Sequence, residues 1–219
     1  MTALPRRRIA AIAAAAAVAA SLLLGLLVRL AIVQDEVDND WMEGVLETRG
    51  PLTESAALVF DFVGGGWFAI WLVPLAVAGL FLFARRPWAA LVFVTASAAS
   101  SGAVQVLKAV FGRSRPEEIL IDIDSASYPS GHVANAATVS LLAALLLARW
   151  WVAAAGAAYV VLMALSRTVL GAHWLTDTLG GALLGAAFAL AAWAIAAPVL
   201  ARERAGARRR RTAPGSVGT

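Results

Sequence analysis

Residues 133–170 read VANAATVSLLAALLLARWWVAAAGAAYVVLMALSRTVL, and the fold depends on where that stretch is cut. It is apolar almost throughout. As one helix at 1.5 Å per residue it would run about 57 Å, nearly twice the roughly 30 Å of a bilayer's hydrocarbon core. Its middle holds a single charge, Arg149, followed by Trp150 and Trp151. An arginine beside tryptophans suits a helix end at the headgroup level. The stretch therefore reads as two spans, 133–148 and 150–170, closed into a tight helical hairpin.

Working outward, four more apolar segments can be drawn at 9–33, 67–83, 88–110 and 175–200. Most of them fit the window of about 17–25 residues that a membrane-crossing helix needs. The expectation is an all-α, polytopic membrane protein with six transmembrane helices in one bundle. It forms a single domain over 1–211, followed by a disordered tail at 212–219. Composition agrees: of 219 residues 61% are hydrophobic and only 15% charged, against about 25% charged in a soluble domain. Mean hydropathy is +0.78. With no cysteine there is no disulfide framework, thiolate metal site or cysteine nucleophile. The first segment, preceded by Arg6, Arg7 and Arg8, has a cleaved signal peptide as its alternative reading. Its apolar core is longer than the 7–15 residues usual there.

Charge orders the spans. Six crossings starting inside put Arg6, Arg7, Arg8, Arg85, Arg86, Arg149, Arg202, Arg204 and the arginines at 208–211 on one side, 12 of the 18 basic residues. The acids of the 34–64 loop, among them Asp38 and Asp61, and those of the 111–131 loop, Asp122 and Asp124 included, fall on the other. Basic residues in short loops stay cytoplasmic, so both termini are expected inside, in the cell (inner or plasma) membrane. The basic run at 202–211 accounts for the sequence pI near 10.6. It reads as a contact for anionic lipid headgroups, not for nucleic acid. Residues 53–63 suit a short amphipathic helix lying on the membrane.

Polar residues beside apolar spans default to functional candidates. Lys108, Arg113 and Arg115 follow the third span, Arg167 ends the fifth, and the two histidines, His132 and His173, stand at the starts of the fourth and sixth. The hairpin matters here. His132 and Arg167 are 35 positions apart, about 50 Å along one straight helix, but a down-and-up path returns the chain to its starting face. Lys108, Arg115 and Arg167 thus bring three positive charges toward one pocket, and guanidinium forks match phosphate oxygens. Pro129-Ser130-Gly131-His132 opens the fourth helix. Ser130 can cap it or donate its hydroxyl, and Gly131 lets an anion approach backbone N–H groups at the positive helix end. His173 and Asp177 are four apart, on one helix face, where the carboxylate can hold the imidazole in one tautomer. Arg113 reads as a rim or headgroup contact, and Asp122 and Asp124 as solvated loop acids.

Three motifs carry a family resemblance. Lys108 is followed by six residues and Arg115-Pro116; Pro129-Ser130-Gly131-His132 comes next; Ser166-Arg167, five residues, His173, three residues and Asp177 come last. In this order they resemble the type 2 phosphatidic acid phosphatase (PAP2) superfamily, which includes class A acid phosphatases and vanadium haloperoxidases. The resemblance implies a phosphohistidine mechanism without a metal or other cofactor. His173 would attack phosphorus and Asp177 would orient it. His132 would protonate the leaving group and then activate water. Lys108, Arg115, Arg167, Ser130 and the backbone at Gly131 would hold the phosphate oxygens. The expected substrate is a lipid phosphate or diphosphate on the outer leaflet, first a polyprenyl (undecaprenyl-type) diphosphate. The alternatives are phosphatidic acid or phosphatidylglycerol phosphate. A lipid phosphotransferase and a non-catalytic membrane protein are the readings of other classes.

Overall fold

A computed structural model describes residues 3–32, 34–123 and 125–212. Its helices are α1 (Ala3–Arg29), α2 (Asp40–Thr48), α3 (Pro51–Gly64), α4 (Val73–Phe83), α5 (Pro87–Phe111), α6 (Gly131–Leu147), α7 (Trp150–Val169) and α8 (Leu175–Thr212). Wider π-helical turns at Gln34–Asn39 and Phe68–Leu72 precede α2 and α4. No strand occurs among the described residues. Residues 213–219 of the expected disordered tail, Val33 and Asp124 lie outside the described residues.

The hairpin closes at Arg149. Ala148 takes a left-handed conformation (φ 54°), Arg149 is extended, and α7 starts at once. The last carbonyls of α6 have no intrahelical donor. Arg204 donates to Leu145 O at 2.8 Å and Leu146 O at 2.7 Å, and Arg86 to Leu146 O at 3.2 Å. Cations at a helix C-terminus also meet its negative dipole end. Arg86 stands 3.5 Å from Glu203, so part of the expected basic side forms one knot at the end of the bundle away from the histidines.

α8 is the axis, packed against α1, α5 and α6. Its glycines permit the approach: a Cβ on Gly181 would lie 2.4 Å from Ser130 O, and one on Gly185 2.1 Å from Ala134 O. Small residues at such crossings let backbones pack without a hydrophobic driving force. Below them, Phe81, Phe93, Leu142, Leu146 and Ala189 form the main core. Outward-facing side chains are large and apolar, with Phe83 91%, Trp150 82% and Ile12 69% exposed, a surface that suits lipid far better than water. α1 belongs to this packing: Ser21 is fully buried and donates to Gly180 O at 3.0 Å.

Four helical stretches are long and apolar enough to cross a membrane: Arg6–Arg29, Pro87–Phe111, Trp150–Val169 and Leu175–Ala207. A fifth candidate is a bent pair, Pro51–Gly64 with Phe68–Phe83, turning by 47°. α6 has 17 residues, about 25 Å, shorter than the other crossing helices. The chain is a multi-pass, all-helical membrane protein; length and composition support four to five crossings, and the sixth rests on α6. The expected membrane-surface helix at 53–63 is the middle of α3, which packs on α7 and leads into α4 through Gly64-Gly65-Gly66.

Candidate active site

The first wall comes from the end of α5. Gly112 terminates that helix in the left-handed region (φ 58°), its N–H bonding to Lys108 O at 3.0 Å, a common glycine stop. The chain then doubles back, so Arg115 faces the same space as Lys108. Both cations reach one acceptor: Ser125 Oγ lies 3.3 Å from Lys108 Nζ and 3.1 Å from Arg115 Nη2. They also share the Ala126 carbonyl. A phosphate oxygen at that point would meet both charges.

The second wall is the turn between α7 and α8. Arg167 O accepts from Ala172 N at 3.0 Å and His173 N at 3.2 Å, and Gly171 (φ 62°) makes the reversal possible. That closure is the physical content of the Arg167-x5-His173 spacing. A Cβ at Gly171 would lie 2.5 Å from Glu118 O, so the 112–130 loop presses directly on this turn. His173 is buried, with Nδ1 3.5 Å from Asp177 Oδ2 and Nε2 3.5 Å from Arg115 Nη1. The network favours a proton on Nδ1 and leaves the Nε2 lone pair facing the cations. Burial pushes the His173 pKa from 6.5 down to about 3; Arg115 and Arg167 add to this and Asp177 opposes it. The ring is therefore neutral at ordinary pH. Burial likewise lowers the pKa of Arg115, with Asp177 opposing.

Asp177 is tied down more firmly than its spacing suggested. Oδ2 accepts from Trp174 N at 3.0 Å, half of a capping box, while Oδ1 accepts from Arg113 Nη1 at 2.6 Å. Arg113 also donates to Asp38 Oδ2 at 2.6 Å and Thr176 Oγ1 at 2.8 Å. Asp38 in turn accepts from Thr176 N at 2.9 Å, serving as a cap of α8 supplied from 138 residues away. Arg113 was expected at the rim, and Asp38 was placed only among the acids of the outer loop. Their side chains are 7% and 0% exposed. The correction has a plain cause: two buried carboxylates need a shared cation, and a buried charge without a partner is very costly.

The third wall is the start of α6. Ser130 is its N-cap residue and fully buried, yet its side chain makes no capping bond, and Oγ has no hydrogen-bond partner among the described residues. Gly131 lines the cavity, and a Cβ there would touch only Val104 Cγ1 at 3.5 Å. Packing does not demand the glycine; the open space above the helix N-terminus does use it. His132 Nε2 stands 3.1 Å from Asp61 Oδ1. The same oxygen accepts from Arg167 Nη1 at 2.5 Å. Arg167 is fully buried, with Nε and Nη2 unbonded among the described residues.

Lys108, Arg115, Gly131, His132 and His173 thus line one cavity of about 190 Å³ between α5, α6 and the glycine break at Gly64-Gly65-Gly66. Arg167 and Ser130 do not reach its lining, and Asp177 stands behind His173. Among the described residues no group of three or more His, Asp or Glu side chains stands close enough together to hold a metal ion. Sequence reasoning passed over Asp38, Asp61 and Gly65. Only Asp61 left a trace, an acid placed four residues before Gly65 in the Gly64-Gly65-Gly66 break of an otherwise apolar stretch.

The family model of the PAP2 superfamily matches residues 88–199. Phosphatidylglycerophosphatase B of Bacillus subtilis (strain 168) is 29% identical over 174 residues, covering 75% of this chain and 85% of that protein. Among solved structures, the transmembrane PAP2-type phosphatidylglycerolphosphate phosphatase of Bacillus subtilis superposes with a TM-score of 0.72 at 28% identity, covering 83% of this chain and 96% of that one. Aquifex aeolicus LpxE shares the fold, with a TM-score of 0.62 at 24% identity over 73% of this chain and 97% of its own. With three motifs in order, a cationic cavity and a family match over half its length, the chain belongs to the PAP2 superfamily and is a membrane lipid phosphate phosphatase.

Proposed function

We propose that the protein hydrolyses a lipid phosphomonoester in two displacements through a phosphohistidine at His173. The observation that carries this reading is the convergence of Lys108 Nζ and Arg115 Nη2 on Ser125 Oγ, beside His173 Nε2. A phosphoryl group taking the place of Ser125 would have its oxygens neutralised by fixed cations while the neutral imidazole attacks phosphorus. Asp177 fixes the tautomer. His132 gives a proton to the departing alkoxide, then takes one from the water that cleaves the P–N bond. Amides at the start of α6, at Gly131, add donors for the phosphate, and Arg167 contributes its charge from behind the wall.

The size of the cavity bears on the substrate. Two lining cations in about 190 Å³ match one phosphate dianion better than a diphosphate. Ser101, Gln105 and Asn135 extend the lining on the membrane side and suit a hydroxylated linker. Phosphatidylglycerol phosphate, the substrate in the names of two relatives, is therefore the first choice. Polyprenyl diphosphate, the expectation from sequence, becomes second. The site faces the extracytoplasmic side, with both termini inside, on the strength of the arginine distribution. The test is a panel of lipid monophosphates and diphosphates, compared by kcat/KM in detergent with EDTA present. Turnover that needs added metal, or no trapped phosphohistidine, would sink the mechanism. Phosphoryl transfer to an added alcohol would instead mark a phosphotransferase.

A further inference from the structure

We infer that Asp61 is a positioning residue for the proton-transfer step: a carboxylate on α3 that fixes the His132 imidazole by its Nε2 and ties it to Arg167. The inference rests on the reading of His132 as the proton donor. Asp61 lies 71 residues from His132 in sequence and belongs to none of the three motifs. Yet its Oδ1 is the one atom within 3.1 Å of His132 Nε2 and 2.5 Å of Arg167 Nη1.

The placement is built from both sides. Gly65 closes on the ring: a Cβ there would lie 2.2 Å from His132 Nε2 and 2.9 Å from Asp61 O. The α3 chain therefore reaches the imidazole with its backbone and its carboxylate together, and the 47° break after α3 makes room for it. Arg167, fully buried, holds the carboxylate in turn. Asp61 borders a second opening of about 390 Å³, shared with Gly65, Asp122 and Ile123, and it is absent from the lining of the cationic cavity. His132 borders both. The carboxylate thus stands behind the imidazole as seen from Lys108 and Arg115. It does not occupy the phosphate position.

The consequence is chemical. With Nε2 turned to Asp61 Oδ1 at 3.1 Å, Nδ1 is the nitrogen left to exchange protons. In the first displacement the Nδ1 proton of the imidazolium moves to the leaving oxygen as the P–O bond breaks and the His173 Nε2–P bond forms. In the second, neutral Nδ1 takes a proton from the attacking water as the P–N bond breaks and phosphate departs. Nε2–H stays on Asp61 throughout. Asp177 does the converse for His173, holding Nδ1 and freeing Nε2.

Leaving-group dependence separates this role from a structural one. An alkyl phosphate needs its leaving oxygen protonated; a nitrophenyl phosphate carrying the same alkyl tail scarcely does. Purified full-length Asp61→Asn should lose roughly 10- to 100-fold in kcat/KM on the alkyl ester and no more than about threefold on the aryl ester, the scale of a partly impaired proton transfer. An equal loss on both esters would overturn the inference, and so would a gain in activity or a lower KM, which would mark Asp61 as a latch competing with phosphate for Arg167. If the Asn variant does not fold, Asp61→Glu poses the same question, since a carboxylate one methylene out of place should still lose more on the alkyl ester. His132→Ala is measured alongside. If it shows no leaving-group asymmetry, the proton-donor reading itself fails; asymmetry there without asymmetry at Asp61 refutes only the positioning role.

Discussion

Two histidine–aspartate pairs stand in this molecule, and they are made in different ways. His173 stands two residues before α8 and Asp177 in its first turn, so one short stretch of chain, the turn after α7 and the helix start, brings them together. His132 and Asp61 come from α6 and α3 and meet only because Gly65 lets the α3 end reach the imidazole. The environments differ as well. Asp177 is fully buried and shares Arg113 with Asp38, while the Asp61 side chain is 32% exposed at an opening. A local pair survives small shifts between helices. A tertiary pair registers every one of them, so the two should respond differently to the same perturbation.

The largest effect is expected at the local pair. His173→Ala removes the nucleophile and should cut turnover by at least about 10⁴-fold, measured as phosphate release with loss of the trapped phosphoenzyme; a phosphoenzyme that persists would move the nucleophile elsewhere. Asp177→Asn keeps the shape but favours the wrong tautomer, and about a 10³-fold fall in kcat is expected. The tertiary pair is tested by Gly65→Ala. The added Cβ must displace the His132 ring, and a misplacement near 1 Å costs about 10²-fold. Turnover should fall while the melting temperature changes little, and unchanged turnover would show that the ring position is not decisive.

Burial of His173 gives a pH signature. Its folded pKa of about 3 lies below the ordinary 6.5, so between those values the unfolded chain binds the extra proton. The stability linked to a neutral His173 is complete above about pH 6.5 and is lost as pH falls toward 3. Melting temperatures of the detergent-solubilised protein should fall over that window, and less steeply in His173→Gln. The smallest effect is expected at the other end of the bundle. Arg149→Gln, at an exposed hairpin tip, should shift stability by no more than about 0.5 kcal/mol and leave turnover unchanged. A tenfold loss there would mean that the two ends are coupled.

Much of this was legible before any coordinates. The hairpin was readable because a 38-residue apolar run cannot be one span and Arg149 offers the only break. The motif residues were readable because each group is local, and local spacing fixes which side chains share a turn. Lys108, Arg115, His132 and His173 do meet at one cavity. Arg113 was misjudged because a surface arginine and one shared by two buried carboxylates look identical in a sequence; what separates them is Asp38, 75 positions away. The helix expected at 53–63 is there as the middle of α3; its packing on α7 was not legible, since a triple glycine marks a break but not which helices flank it in space.

The sequence by itself determined the class of the molecule, its apolar spans and the local constellations of its chemistry, because hydrophobic length and helical period are properties of neighbouring residues. Only the tertiary structure decided which acids are solvated and which are buried partners. That choice depends on burial, and burial of a carboxylate is tolerable only where distant segments deliver a cation or an N–H to it. Asp38 has such partners in Arg113 and Thr176, and the half-buried Asp61 has Arg167; nothing in the acidic stretch that carries them announces it.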